Sequence, residues 1–249
     1  MQNSLIIKDL CIEIEKKKIV ENFSLQINEN ETHILMGKNG SGKSTLINAI
    51  MGKPELKIKS GSIKLNSTDI SKLDTSKRAN LGIFTSFQNP VEVPGLSMRN
   101  FLRIALNSKL LAENKNAKTY SPLEFVEHIY KLAKEMNLDS DLILRELNTN
   151  MSGGEKKRSE ILQMAVLNPK FALLDEIDSG LDIDALKKIA NTIKKIQKKN
   201  KTGLLIITHF PRILKYINPN FVHIYKDGKI IQSGDKKLAL KIEKEGYNE

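Results

Sequence analysis

The sequence predicts an α/β fold with a helical lobe inserted into it. Three observations carry this. Residues 37–45 read Gly37-Lys38-Asn39-Gly40-Ser41-Gly42-Lys43-Ser44-Thr45, a complete G-x-x-x-x-G-K-S phosphate loop. The hydrophobic pattern is strand-like up to about residue 90, turns helical between Ser97 and Asn168, and alternates between the two from Phe171 onward. Gly37, Gln88, Asp175 and His209 all fall just past predicted strand ends, where ligands collect in parallel α/β sheets.

The elements follow in order. Leu5–Ile14, Ile19–Ile27, Thr32–Met36, Gly61–Leu65 and Gly82–Ser86 read as strands separated by polar turns. Cys11 lies in an alternating stretch of the first strand, which predicts a core thiol. His33-Ile34-Leu35-Met36 leads into the phosphate loop as a buried strand would. Leu46, Ile47, Ile50 and Met51 then recur at helical spacing until Gly52 and Pro54 stop the helix. Met98–Leu111, Pro122–Met136 and Leu142–Leu147 read as helical segments, with Asn114-Lys115-Asn116 as a loop. Ser152 and Glu155 fit a capping box that opens a helix carrying Ile161, Leu162 and Ala165. Phe171–Leu174 is a strand, and Leu186, Ile189, Ile193 and Ile196 mark the apolar face of the helix after Asp184. Leu204–Thr208 is the next strand. Val222–Tyr225 and Lys229–Gln232 form a hairpin turning on Asp227-Gly228. The division is one domain over 1–249, with 1–90 and 166–249 as the α/β core and 91–165 as the helical subdomain.

Composition excludes several classes. At 249 residues the chain can bury a sizeable core. No apolar stretch reaches the ~20 residues of a spanning helix, so direct membrane insertion is not expected. The N-terminus, with Leu5-Ile6-Ile7, reads as a strand start rather than a signal or transit segment. One cysteine allows neither a disulfide framework nor a thiolate metal site within the chain. The net charge of +11 invites a nucleic-acid reading. Much of it, however, sits at Lys187, Lys188, Lys194, Lys195, Lys198 and Lys199, around the apolar face of one helix, as a solvated helix surface requires. No basic strand carries aromatics for base stacking, so no nucleic-acid partner is expected.

The motifs point to nucleotide chemistry. The loop glycines let backbone N–H groups approach phosphate oxygens, Lys43 brings a compact charge to the β- and γ-phosphates, and Ser44 is placed to ligate Mg²⁺. Phe171-Ala172-Leu173-Leu174-Asp175-Glu176 is an apolar strand ending in two carboxylates. Asp175 suits Mg²⁺ coordination, and Glu176 suits the group that activates water. Gly153-Gly154 is not explained by the capping box, because each glycine in the first turn costs ~1 kcal/mol relative to Ala. Close approach to an anion would account for both.

Taken together, these residues resemble the ATP-binding-cassette ATPases over essentially the full chain. Ser152-Gly153-Gly154-Glu155 resembles the family's signature, Gln88 its Q-loop, Ser179-Gly180-Leu181-Asp182 its D-loop and His209 its switch histidine. The resemblance implies a RecA-like P-loop core, an N-terminal antiparallel β subdomain and an inserted helical subdomain. It implies ATP and Mg²⁺ as ligands, the whole run Gly37–Thr45 on the nucleotide, and Ser44, Gln88 and Asp175 on the metal. Glu176, His209 and Gln88 would be catalytic. It also implies a nucleotide-driven head-to-tail dimer, with the signature of one copy completing the site of the other, and Asp182 as the D-loop residue.

Within the family, the sequence resembles the ATPases of the SUF iron–sulfur cluster assembly machinery. The runs that carry this are Phe87–Gly95, Phe101-Leu102-Arg103, Ser152–Met164, Asp178–Leu186 and Thr208-His209. Asn89, Thr85-Ser86 and Ile177 depart from that pattern without removing a catalytic group, and no aromatic near Ile14 can stack on adenine. The resemblance implies SufB- and SufD-like scaffold partners, docking on Phe87–Phe101, and a bacterial cytoplasm or a plastid stroma as the compartment. The Pro90–Gly95 loop is expected to be exposed and Phe87 and Phe101 at least partly packed. The ATPase subunit of a membrane transporter is the alternative.

Overall fold

In the computed structural model, residues 2–88, 90–209 and 211–246 are described. The chain begins with β1 (Ser4–Ile14) and β2 (Lys17–Asn28), followed by β3 (Thr32–Met36) and α1 (Lys43–Ile50). Next come β4 (Lys57–Leu65), β5 (Thr68–Asp69), α2 (Thr75–Asn80), β6 (Ile83–Thr85) and β7 (Val93–Ser97). The helical stretch holds α3 (Met98–Glu113), α4 (Pro122–Met136), a 3₁₀ turn (Ser140–Leu144), β8 (Glu146–Leu147) and α5 (Gly153–Leu167). After it come β9 (Phe171–Asp175), α6 (Ile183–Asn200), β10 (Gly203–Thr208), a second 3₁₀ turn, β11 (Phe221–Lys226), β12 (Lys229–Gly234) and α7 (Lys236–Glu245).

The central sheet runs β12-β11-β3-β10-β9-β6, parallel throughout except for the antiparallel edge strand β12. Its register pairs Thr208 with Met36 and Ile207 with Asp175, so the carboxyl ends of β3, β10 and β9 finish level. A second, antiparallel sheet runs β2-β1-β4-β5. One apolar core joins that sheet and α1 to one face of the central sheet, through Leu10, Phe23, Leu46, Leu173 and Leu205. On the other face Ile34, Leu174, Ile206, Ile189 and Ile193 pack under α6. A third core lies among the helices α3, α4 and α5. Helix α5 supplies Ile161 to the sheet-side core and Leu162 to the helical one, and is therefore buried on two sides.

Local chemistry explains the helix ends. Ser121 and Ser152 each close a capping box, with Glu124 and Glu155. The carbonyls at the end of α1 are taken by a buried arginine: Arg78 Nη1 donates to Ala49 O at 2.9 Å and Ile50 O at 2.7 Å. No helix among the described residues is long and apolar enough to cross a membrane.

Several expectations are corrected. Leu142–Leu147 is not an α-helix but a 3₁₀ turn followed by β8, because Glu146–Leu147 pairs with β7. Cys11 is not a core thiol. The ladder shifts register after Ile7, where Asp9 has φ of 48°, so the buried positions move from Leu5 and Ile7 to Leu10 and Ile12. Cys11 is thereby turned outward, half-buried, with its sulfur accepting from Asn22 N–H at 3.3 Å. The stretch from Pro90 to Gly95 is a loop only at first, since β7 begins at Val93, which packs on the helical core. Helices α2 and α7 were not anticipated. Asn89, one of the expected departures, lies outside the described residues.

Candidate active site

The carboxyl ends of the parallel strands bring the expected residues together. Beyond β3, the loop residues Gly40 and Gly42 take φ of 81° and 100°, conformations open to glycine. Gly42 is the N-cap of α1, so the first N–H groups of that helix face the loop. Lys43 Nζ donates to Gly37 O and Lys38 O, both at 2.8 Å. Burial lowers its pKa, and the nearby carboxylates of Glu176 and Asp175 oppose that shift.

Asp175 ends β9 and is 4% exposed. Burial raises its pKa, a hydrogen bond from Ser44 lowers it, and the charge of Glu176 raises it again. Its backbone N–H donates to Ser86 Oγ at 2.9 Å, which fixes β9 to the end of β6. Ser86 thus has a clear task at a position where the resembled family favours alanine. Ile177, another departure, is fully buried in the α6-side core.

Glu176 is held in a left-handed backbone conformation, with φ of 47°. Gln88 Nε2 donates to Glu176 Oε2 at 3.0 Å, and His209 Nδ1 stands 3.2 Å from Glu176 Oε1. Both carboxylate oxygens are therefore fixed, by residues 88 positions upstream and 33 downstream. Below the pair, Asp178 accepts from Thr208 Oγ1 at 2.8 Å, and burial raises its pKa. Ser179 Oγ donates to Glu176 O at 2.9 Å, Gly180 has φ of 70°, and Asp182 caps α6. The arrangement can cradle an anion and hold a carboxylate ready to accept a proton from water.

Ser152–Glu155 has its own neighbours. Glu155 pairs with Arg145 at 2.6 Å and bonds the N–H of Ser152 at 2.8 Å. A methyl group added at Gly153 would meet open space. Among the described residues nothing crowds that glycine.

Residues that sequence reasoning missed surround the Q-loop. Glu160 accepts a hydrogen bond from Phe87 N–H, and Lys157 Nζ donates to Phe87 O at 3.4 Å. Helix α5 thus holds the backbone of the residue before Gln88 on both sides. Burial pushes Glu160 up to about 7. A signal existed: α5 is apolar on two faces, so charged residues one turn apart inside it must be buried and paired.

The comparisons with known proteins complete the identification. A family model described as ABC transporter matches residues 20–179. The chain belongs to the ATP-binding-cassette family. It is 44% identical to the probable ATP-dependent transporter ycf16 of Antithamnion sp., over 100% of this chain and 98% of that protein. Vegetative protein 296 of Bacillus subtilis is 43% identical over 99% of this chain and 92% of its own length. Among solved structures, a nucleotide-free ATP-binding cassette from an ABC transporter superposes with a TM-score of 0.77 at 28% identity, covering 97% of this chain and 96% of that one. The fold is shared with a bacterial ABC transporter cassette solved as a dimer, with a TM-score of 0.78 at 22% identity, over 93% and 98% of the two chains. This cassette is an ATP-binding ATPase with the α/β P-loop fold.

Proposed function

We propose that this cassette is the ATP-hydrolysing subunit of a SUF-type iron–sulfur assembly scaffold, a SufC-type ATPase acting on SufB- and SufD-like partners. The observation that carries the reading is the outward-facing apolar segment at the Q-loop. Phe87 is 55% and Val91 73% exposed, so the packing expected of Phe87 is only partial. An exposed apolar stretch marks a contact site. Phe87 adjoins Gln88, which holds Glu176, so a partner seated here would bear directly on the hydrolytic carboxylate. The Phe87–Gly95 and Asp178–Leu186 runs support the SUF assignment over a generic cassette.

In this reading Gly37–Thr45 hold the phosphates and Lys43 balances their charge. Glu176 accepts a proton from the attacking water, with Gln88 and His209 fixing its two oxygens. Ser44, Asp175 and Gln88 would hold Mg²⁺. The donors fit: Ser44 and Asp175 already bond each other, and Asp175 Oδ1 has no partner among the described residues. When bound, the ion would neutralise charge on the transferred phosphoryl group. Ser152–Glu155 and Asp182, carried by 91–165 and the α/β core respectively, would serve a second copy's nucleotide in a head-to-tail dimer. The uncrowded Gly153 supports an approach from outside the chain.

The names of the relatives favour a second reading, the ATPase subunit of a membrane transporter. Affinity purification from the native host separates the two. Soluble SufB- or SufD-like proteins are expected to co-purify, and a multi-span membrane protein in their place would overturn the proposal. The docking surface is tested with Phe87→Ser combined with Val91→Asp, which should abolish capture while ATP binding persists. Val93 is unsuited to that test, because it packs on the helical core.

A further inference from the structure

Tyr225 lies beneath the phosphate loop, and no motif accounts for it. It sits near the end of β11, 1% exposed, with its ring edge-on to Phe23 at 5.8 Å between centroids. It meets the loop at both ends. Its carbonyl oxygen would stand 2.2 Å from a Cβ at Gly37, and its hydroxyl 3.6 Å from a Cβ at Gly42. The hairpin that carries it is also tied to the loop, since Gly228 N–H donates to Ser41 O at 3.2 Å. Lys38–Ser41 also border, together with Tyr225 itself and the hairpin, a cavity of about 480 Å³ that reaches Lys241 and Ile242 of α7. The loop therefore rests on Tyr225 and has room to move beside it.

Among the described residues, the Tyr225 hydroxyl makes no hydrogen bond, and the same is true of Ser41 Oγ. A buried hydroxyl without a partner is costly, and phenylalanine would fill the same space without that cost. Burial also raises the tyrosine's pKa, so the phenol keeps its proton and remains a donor. Its position under the N-cap of α1 puts that donor against the loop backbone that is to hold the phosphate oxygens.

We propose that Tyr225 is a positioning residue for nucleotide binding, its ring setting the phosphate loop and its hydroxyl serving the loop when phosphate occupies it. This rests on the reading of Gly37–Thr45 as the nucleotide site. The test is Tyr225→Phe in the full chain, followed by ADP titration calorimetry and by thermal melting without nucleotide. The expected result is a Kd for ADP raised about 2- to 10-fold, the range of one net hydrogen bond, with a melting temperature unchanged or higher. An unchanged Kd would overturn the proposal. A melting temperature that falls would overturn it too, by revealing a structural partner for the hydroxyl. Lys43→Ala is the control. If it also leaves ADP affinity intact, the error lies in the site rather than in Tyr225.

Discussion

The two ends of the central sheet hold buried polar clusters of opposite character. At the amino end, on the adjacent strands β3 and β11, every member shown is paired. His33 Nδ1 and His223 Nε2 are 3.0 Å apart, His33 Nε2 is 3.2 Å from Glu31 Oε2, and His223 Nδ1 is 2.8 Å from Ser233 Oγ. One proton assignment satisfies the whole chain: Ser233 donates to His223, His223 to His33, and His33 to Glu31. Glu31 accepts further from Asn28 N–H at 2.9 Å. At the carboxyl ends of the same sheet, Asp175 Oδ1, Ser41 Oγ and the Tyr225 hydroxyl lack partners among the described residues, and Glu176 is strained. Buried polar atoms left unpaired beside a phosphate loop call for a partner from outside the chain.

The sharpest way to break this contrast is Glu176→Gln. The amide keeps the shape and one acceptor but removes the base, while Lys43 and the loop remain. Steady-state hydrolysis should fall by about 10²- to 10⁴-fold with ATP binding retained. Phosphate-release assays and nucleotide retention on a desalting column measure the two separately. Near-normal turnover would remove Glu176 from the mechanism.

A second test addresses the residues that stand apart from the cluster. If Ser152–Glu155 completes the site of another copy, ATPase activity per subunit should climb with protein concentration. Ser152→Arg should lower turnover about tenfold or more, by analogy with losing one transition-state contact, without changing nucleotide affinity. It also removes an N-cap, at about 1 kcal/mol, so melting must be followed alongside. Activity per subunit that stays flat from dilute to concentrated solution would count against a composite site.

Much of this was legible in the sequence, for physical reasons. The phosphate loop, the capping boxes at Ser121 and Ser152 and the strand-end positions of Gln88, Asp175 and His209 depend on residues close together in the chain. Pro122–Met136 was bounded correctly because proline at the first position and a serine cap leave little freedom. What escaped depends on distant partners. Leu142–Leu147 has apolar spacing that suits a helix, yet β7 claims its end. Cys11 changed faces because of one bulge, which shifts every later side chain. The His33–His223 pair joins residues 190 apart, and nothing local marks either one.

The amino end makes its own prediction, on stability rather than catalysis. Burial lowers the pKa of His33, and burial with the neighbouring His33 lowers His223 to about 4 from 6.5. Between those values the unfolded chain binds the proton and the native chain does not, so stability falls as pH drops from 6.5 toward 4. The loss from His223 is on the order of 3 kcal/mol. Chemical denaturation across that window should show a steeper decline for the parent than for His223→Gln, whose side chain cannot titrate. Parallel curves would show that the pair carries no linkage. Turnover of the variant at pH 7 should match the parent.

The smallest effect is the most discriminating, because Ser86 sits at the functional end yet is paired. Its hydroxyl accepts from the N–H of Asp175, itself a proposed metal ligand, so proximity alone would make it catalytic. Its bond, however, goes to the backbone of Asp175 and not to the carboxylate, which assigns Ser86 to the fold rather than to the chemistry. Ser86→Ala leaves a buried N–H without that acceptor and should cost about 1–3 kcal/mol of stability. Turnover at saturating ATP should stay within about 3-fold of the parent, less than the loss of one hydrogen bond would cost were it made in the transition state. Denaturant midpoints and steady-state rates on the same preparation decide it. If turnover collapses while the midpoint holds, pairing does not separate structure from function in this sheet, and the division drawn between its ends fails.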